Sequence, residues 1–219
     1  MTKAKFSQLK KFFSQFPTKK LAKGAFLYRP GDKIENIHFL KSGYIRVYSK
    51  NASGENTINA FKPAFITSII HFFTEARNDF FFEAITPIEV YLIPQKDFKQ
   101  FLGRNPDISS LIMDYFCHSL LRFIKNQGSI VNGSAIGKVA CVLYQLANDY
   151  GEIQAEQLIV HFPATHRIIA NLVGLTRETT SVQMSKLQKL GVISTKRSHY
   201  IVKSLEKLKR LAFPGDLLP

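Results

Sequence analysis

Hydrophobic spacing changes character twice along the chain. In residues 1–23, Phe6, Leu9, Phe12, Phe13 and Phe16 recur near helical intervals among seven lysines and no acid. This stretch reads as a short solvated helix capping the domain that follows, with a DNA-contacting arm as the alternative. From Ala25 to Ile93, short runs rich in Phe, Ile, Val and Tyr are separated by turn signals. These are Pro30-Gly31-Asp32, Lys41-Ser42-Gly43, Asn51-Ala52-Ser53-Gly54 and Thr86-Pro87, of the kind that supplies the positive φ of tight hairpins. Strand-like pieces roughly every ten residues, including Tyr44–Tyr48 and Glu89–Ile93, predict an antiparallel barrel or sandwich.

After Pro94 the period becomes helical. Asn105-Pro106-Asp107 is a helix start, with Asn as N-cap, Pro in the first turn and an acid beside it. Met113, Phe116, Leu120, Phe123, Gln127 and Ile130 then alternate spacings of three and four, a heptad seam with one polar interruption. At 1.5 Å per residue the seam's helix reaches ~37 Å, longer than one small β-domain needs for cover. A parallel dimer pairing this helix with its twin is expected; packing wholly on its own barrel is the alternative. Asn132-Gly133-Ser134 breaks the helix and caps another, Ala135 to Tyr150, ended by Gly151. The expected divisions are 1–104 (helix and β-domain), 105–133 (dimerisation helix) and 134–219.

The last third carries the chemistry. Ile168, Ile169, Leu172 and Val173 make the apolar face of one short helix, Ala170 is small where a second helix crosses, and Gly174 sits where positive φ is needed. Thr176 is a natural N-cap for a second helix, with Arg177 and Glu178 in its first turn and Val182, Leu187 and Leu190 assigned to its buried side. This is a helix-turn-helix, whose second helix enters the major groove of DNA. Val192–Ser194 and Tyr200–Val202 flank a Lys196-Arg197-Ser198 turn as a β-hairpin wing, and Ser204 caps a last basic helix, Leu205 to Leu211. A helical hairpin without nucleic acid explains the apolar pattern but not Arg-Glu-Thr-Thr-Ser at a helix start.

Composition narrows the classes. With 219 residues, 45% apolar and 21% charged, the chain has material for a core and is neither disordered nor fibrous. Thirty basic residues against 16 acidic ones give +14, which suggests a polyanionic partner. The excess is not concentrated in the reading part: residues 134–219 hold 11 basic and 6 acidic side chains, and the remaining residues hold more of the surplus. Two cysteines, Cys117 and Cys141, exclude a disulfide scaffold, a four-thiolate zinc site and an iron–sulfur cluster held by this chain's own cysteines. The apolar run Ala64–Phe73 is too short for the ~20 residues of a membrane span, and the basic N-terminus lacks the apolar core of a secretory signal. A soluble, reduced, cytoplasmic protein is expected. The six histidines show no His-x-His pair, and no nucleophile triad or phosphate loop occurs, so no catalytic residue, no metal site and no enzyme activity is expected.

Over nearly its full length the chain resembles the Crp/Fnr family of bacterial transcription regulators. The resemblance rests on Phe26-Leu27-Tyr28-Arg29-Pro30-Gly31-Asp32, on Ile37–Val47, and on Gly174-Leu175-Thr176-Arg177-Glu178-Thr179-Thr180-Ser181. It implies an α+β fold: an N-terminal antiparallel β-roll (a cyclic-nucleotide-binding-like jelly roll), a long dimerisation helix and a C-terminal winged helix-turn-helix. It further implies that Arg177, Glu178 and Ser181 reach the DNA. Most members carry an arginine one residue after that serine; Val182 stands here, so a related two-fold site with a changed half-site base is expected.

Side-chain chemistry assigns the roles. Arg177 can pair with guanine O6 and N7, Glu178 can accept from cytosine N4, and Thr180, Ser181 and Gln183 can offer short hydrogen bonds to bases. Thr165, His166, Thr176, Thr179, Lys186, Lys189, Lys196 and Arg197 are the candidate phosphate contacts. Partners are therefore double-stranded DNA, a second copy of the chain and, for an activator, RNA polymerase, with no membrane. In the sensor, family members that bind cyclic AMP use a Gly-Glu and an Arg-Ser pair. Thr67-Ser68 and Asn78-Asp79 stand in their places, which argues against that ligand. Phe65, Thr67, Ser68, Phe80, Phe82, Tyr115, Cys117 and Arg122 are candidates for an effector pocket, against the alternative that the aromatic run is simply core. No cofactor is expected; haem on His71 or His118 is disfavoured, and Cys117 is either a redox switch or a buried apolar residue. The other function class is a β-roll with a degenerate helix-turn-helix, acting as a ligand-binding or protein-interaction module.

Overall fold

The computed structural model describes residues 3–51, 54–74, 76–196 and 199–214. Ala52, Ser53, Arg197 and Ser198 fall outside these residues, as does the side chain of Arg122. The chain divides into two compact units, residues 1–120 and 121–219.

In the first unit α1 (Lys3–Phe13) leads into β1 (Thr18–Leu21), β2 (Phe26–Tyr28), β3 (Asn36–Ser42) and β4 (Ile45–Asn51). Then come β5 (Gly54–Phe61), β6 (Phe65–Ile66), the short α2 (Ile69–Thr74), β7 (Phe81–Ala84), β8 (Ile88–Pro94) and α3 (Gln95–Arg104). α4 (Pro106–Asn132) begins in this unit, and the division between units falls inside it. The strands form two four-stranded sheets, ordered β1-β8-β3-β6 and β2-β7-β4-β5, with every pairing antiparallel.

Alternation along β3 explains the layering. Leu40 points into the roll with Tyr28, Ile45, Val47, Phe82 and Val90, whereas Ile37 and Phe39 point the other way, against Leu9, Phe13, Phe98 and Leu102 of α1 and α3. β3 is therefore apolar on both faces. α1 is not a free arm: the Phe13 ring stacks on Phe39 at 4.3 Å between centroids, and Phe12 stacks on Phe101 at 3.9 Å. Its inward side chains complete this core, as the capping reading requires.

The second unit holds α5 (Ala135–Tyr150), β9 (Gly151–Gln154), β10 (Gln157–Val160), α6 (His166–Val173), α7 (Arg177–Lys189), β11 (Ile193–Lys196), β12 (His199–Val202) and α8 (Leu205–Ala212). Val139, Ala140, Cys141, Val142, Leu143 and Leu146 of α5 form its buried axis, where burial pushes the Cys141 thiol up to about 11. The hairpin β9-β10 is absent from the sequence reading. It extends the wing into a four-stranded sheet, ordered β11-β12-β10-β9.

Candidate nucleic-acid interface

Each helix of the reading motif starts on its own hydroxyl. Thr165 Oγ1 accepts from the Ile168 amide (3.2 Å) and Thr176 Oγ1 from the Thr179 amide (3.1 Å), while Ser134 and Ser204 cap α5 and α8 in the same way. Gly174 takes the left-handed conformation (φ 65°), and its amide donates to the Ala170 carbonyl. Space around it is open, so the backbone angle and not crowding is what calls for glycine there. The Leu175 amide also returns to Ala170 (3.0 Å), which fixes the turn between α6 and α7.

The phase of α7 then decides which side chains can meet a ligand. Arg177, Glu178, Val182, Ser185, Lys186 and Lys189 are exposed, and Ser181 is half-buried among them. Met184 and Leu187 are buried. Two of the expected base readers point inward. Thr180 is fully buried and its Oγ1 has no hydrogen-bond partner among the described residues, and Gln183 is only 8% exposed. They lie about 100° per residue round the helix from Glu178, on the side that carries Met184 and Leu187, so Arg177, Glu178 and Ser181 remain as candidates. Val182 and Leu190, assigned to the buried side, are exposed instead, and only Leu187 of those three packs inside.

Of the candidate phosphate contacts, Thr165, Thr176, Lys186, Lys189 and Lys196 are exposed, His166 and Thr179 are half-buried, and Arg197 lies outside the described residues. The Thr176 and Thr179 hydroxyls also bond each other at 2.9 Å. Arg167, Ala170, Asn171, Leu175, Thr176 and Arg177 line an open recess of about 440 Å³ between α6 and the start of α7. Arg167 and Asn171 escaped the sequence reading; the signal available was the spacing Arg167–Asn171, one helical turn apart on α6. Two guanidinium-bearing residues and the positive end of α7 thus share one concavity, an arrangement suited to a phosphate backbone.

Within the first unit, the polar residues proposed to hold an effector are committed to the protein. Ser68 Oγ accepts from the His38 amide (3.0 Å), Thr67 Oγ1 donates to the His38 carbonyl (3.3 Å), and the Tyr28 hydroxyl bonds His38 Nδ1. Burial pushes the His38 imidazole down to about 4, against a backbone hydrogen bond at Asn36 and with the Lys19 ammonium adding to the fall. Burial also raises the Tyr28 phenol, against hydrogen bonds with Thr67 and Ser68. Asn78 is spent on a turn: its amide donates to the Arg29 and Phe80 carbonyls (2.7 and 2.6 Å) and its Oδ1 accepts from the Phe80 amide (3.1 Å). The neighbouring Asp79 is exposed. Thr67, Ser68 and Asn78 thus spend polar groups on the protein's own backbone.

Phe82 packs in the roll core with Phe80 against it, and Phe65 stacks on Phe61 (4.0 Å) with Tyr115 of α4 6.3 Å away. Cys117 is exposed, contrary to the buried alternative, as is His118. His71 is buried, and its Nδ1 has no partner among the described residues. Along α4, Met113, Phe116, Leu120 and Phe123 are exposed together with Leu121 and Ile124, while Gln127 and Ile130 are half-buried. Among the described residues, no helix is long and apolar enough to cross a membrane, and no group of three or more His, Cys, Asp or Glu could hold a metal ion.

A β-roll followed by a helix-turn-helix with a wing defines a class of regulator, and comparison with known proteins agrees. Residues 18–105 match the cyclic nucleotide-binding domain and residues 137–211 the Crp-like helix-turn-helix domain. The chain belongs to the Crp/Fnr family of transcription regulators. It is 23% identical over 187 residues to the global nitrogen regulator of Nostoc sp., covering 84% of each chain. Against the fumarate and nitrate reduction regulatory protein of Yersinia pestis it is 23% identical over 198 residues, covering 89% of this chain and 78% of that one. FixK2 from Bradyrhizobium japonicum shares its fold with a TM-score of 0.77 at 16% identity, over 90% of this chain and 96% of that one.

Proposed function

We propose that two copies of this chain pair through α4 and present their two α7 helices to successive major grooves of a two-fold DNA site. The outward face of α7 carries this reading: Arg177 and Glu178 stand exposed in its first turn with Ser181 one turn on, above a recess bearing Arg167 and Thr176. Arg177 is suited to guanine, Glu178 to the amino group of cytosine and Ser181 to a further base edge. Lys186, Lys189 and Lys196 meet phosphates, as do Thr165, His166, Thr176, Thr179 and Arg197, setting affinity and salt dependence without selecting sequence. Regulators of this family bind DNA and act as dimers, and the apolar stripe on α4 is the surface here that a twin would cover.

The roll senses an effector other than cyclic AMP, without haem, in a cytoplasmic protein that has no catalytic activity and that contacts RNA polymerase where it activates. Occupied hydroxyls at Thr67 and Ser68 and the structural use of Asn78 support this. Enrichment of sequences from a random duplex pool by the full-length protein, followed by a protection footprint, tests the proposal. A two-fold consensus with half-sites about one helical turn apart is the expected result. DNA binding without enrichment or footprint would overturn it in favour of an interaction module.

A further inference from the structure

One residue on the outward face of α7 is explained neither by stability nor by charge. Val182 is 52% exposed, in the middle of a 13-residue helix. The other exposed residues of that helix are Arg177, Glu178, Ser185, Lys186, Gln188 and Lys189, every one charged or polar. A β-branched side chain is a poorer helix former than alanine, and one left half in water recovers little by burial. Its position is nonetheless central. Val182 stands one turn beyond Glu178, adjacent to Ser181 and one turn before Lys186, inside the surface that carries the candidate base readers.

Among the groups by which major-groove base edges are told apart, donors and acceptors predominate and the 5-methyl of thymine is the one alkyl group. An exposed isopropyl group amid polar readers matches that methyl group, the largest apolar feature on the floor of the groove. We infer that Val182 is a specificity-determining residue that selects thymine by apolar contact with its methyl group. This rests on the proposed docking of α7 in the major groove and names one base of the half-site. One turn separates Val182 from Glu178, so the thymine lies within about two base pairs of the base pair that Glu178 reads. Since a methyl group is recognised by exclusion of water, this part of the readout is insensitive to salt, unlike the lysine contacts around it.

The test uses the full-length protein and the duplex enriched from the random pool. Each thymine in turn is replaced by deoxyuridine, which removes the methyl and leaves base pairing and hydrogen-bonding groups unchanged. One thymine per half-site is expected to respond, with affinity falling about fourfold for one replacement and about fifteenfold for both, the worth of one buried carbon per half-site. Val182→Ala is expected to bind the parent duplex correspondingly less tightly and to ignore the deoxyuridine replacements. Val182→Thr, which keeps one methyl, retains part of the discrimination. Thermal unfolding of Val182→Ala stays at or above the wild-type midpoint and that of Val182→Thr close to it, so a loss of folding cannot imitate the result. A pool from which nothing is enriched overturns the DNA-reading role itself. An enriched site that lacks thymine near the Glu178 contact, or whose thymines are all indifferent to the replacement, overturns this inference alone, as does a Val182→Ala protein that keeps the wild-type deoxyuridine penalty.

Discussion

His38 makes the first unit labile to acid by an amount that can be worked out. The side chain is 8% exposed, its Nδ1 is bonded to the Tyr28 hydroxyl, and burial holds its pKa near 4. In the unfolded chain the imidazole titrates near its ordinary value of about 6.5. Between those two values the unfolded state binds a proton that the folded state refuses, so stability rises with pH across that window. The contribution is complete above about pH 6.5 and is lost progressively as pH falls toward 4. At 1.36 kcal/mol per pH unit, the full span is worth about 3 kcal/mol. Asparagine places an acceptor near the position of Nδ1 but cannot titrate, so His38→Asn is the natural control. Urea unfolding of the two proteins at fixed concentration, at pH 7 and pH 4.5, gives the comparison. The wild-type advantage is expected to shrink by about 2–3 kcal/mol on acidification. His71, whose pKa is also lowered by burial against the pull of Asp79, is common to both proteins and cancels. Parallel pH profiles for the two proteins would refute the assignment of acid lability to His38.

Three further outcomes follow from the second unit and α4. Arg177→Ala should cost ~1–3 kcal/mol on the preferred DNA site and relax specificity there; an equal loss on every sequence in a binding titration would make Arg177 a phosphate contact. Leu120 is about half exposed, and covering it in both copies contributes on the order of 3 kcal/mol, so Leu120→Glu should weaken dimerisation at least about a hundredfold by sedimentation. An unchanged dimer would move the interface elsewhere. Thr180→Val removes a buried hydroxyl that has no partner among the described residues and should raise stability by about 1 kcal/mol in chemical unfolding with DNA affinity unchanged; a loss of sequence preference would restore Thr180 to the base-reading set.

Most of the architecture was legible because local chemistry and long-range packing agree. Ser134, Thr176 and Ser204 announce helix starts, and each does cap one, as Thr165 does for α6. The hairpin β9-β10 was hidden because its two-residue turn is Ala155-Glu156, both at positive φ (48° and 62°), where Asn and Gly are the usual signal. Tertiary pairing of β10 with β12 imposes that conformation against local preference. α2 was hidden inside the continuous apolar run around Ile69 and Phe72, which has no period to read. The phase of α7 departs from its sequence pattern for a related reason: Thr180 and Gln183 point inward and Val182 outward, inverting the usual assignment of polar residues to the surface. That inversion is invisible until Leu187 and Met184 fix the rotation of the helix, and it falls on the residues with most to do with recognition.

The double-faced packing of β3 gives the sensor a rigid crossbar. With Leu40 and His38 engaged on one side and Ile37 and Phe39 on the other, a shift of the strand disturbs the rings of Phe13 and Phe98 behind it. Those rings share their cluster with Ile108, in the opening turn of α4. The interior of the roll and the root of the long helix are therefore joined through β3, whose two faces belong to the two clusters.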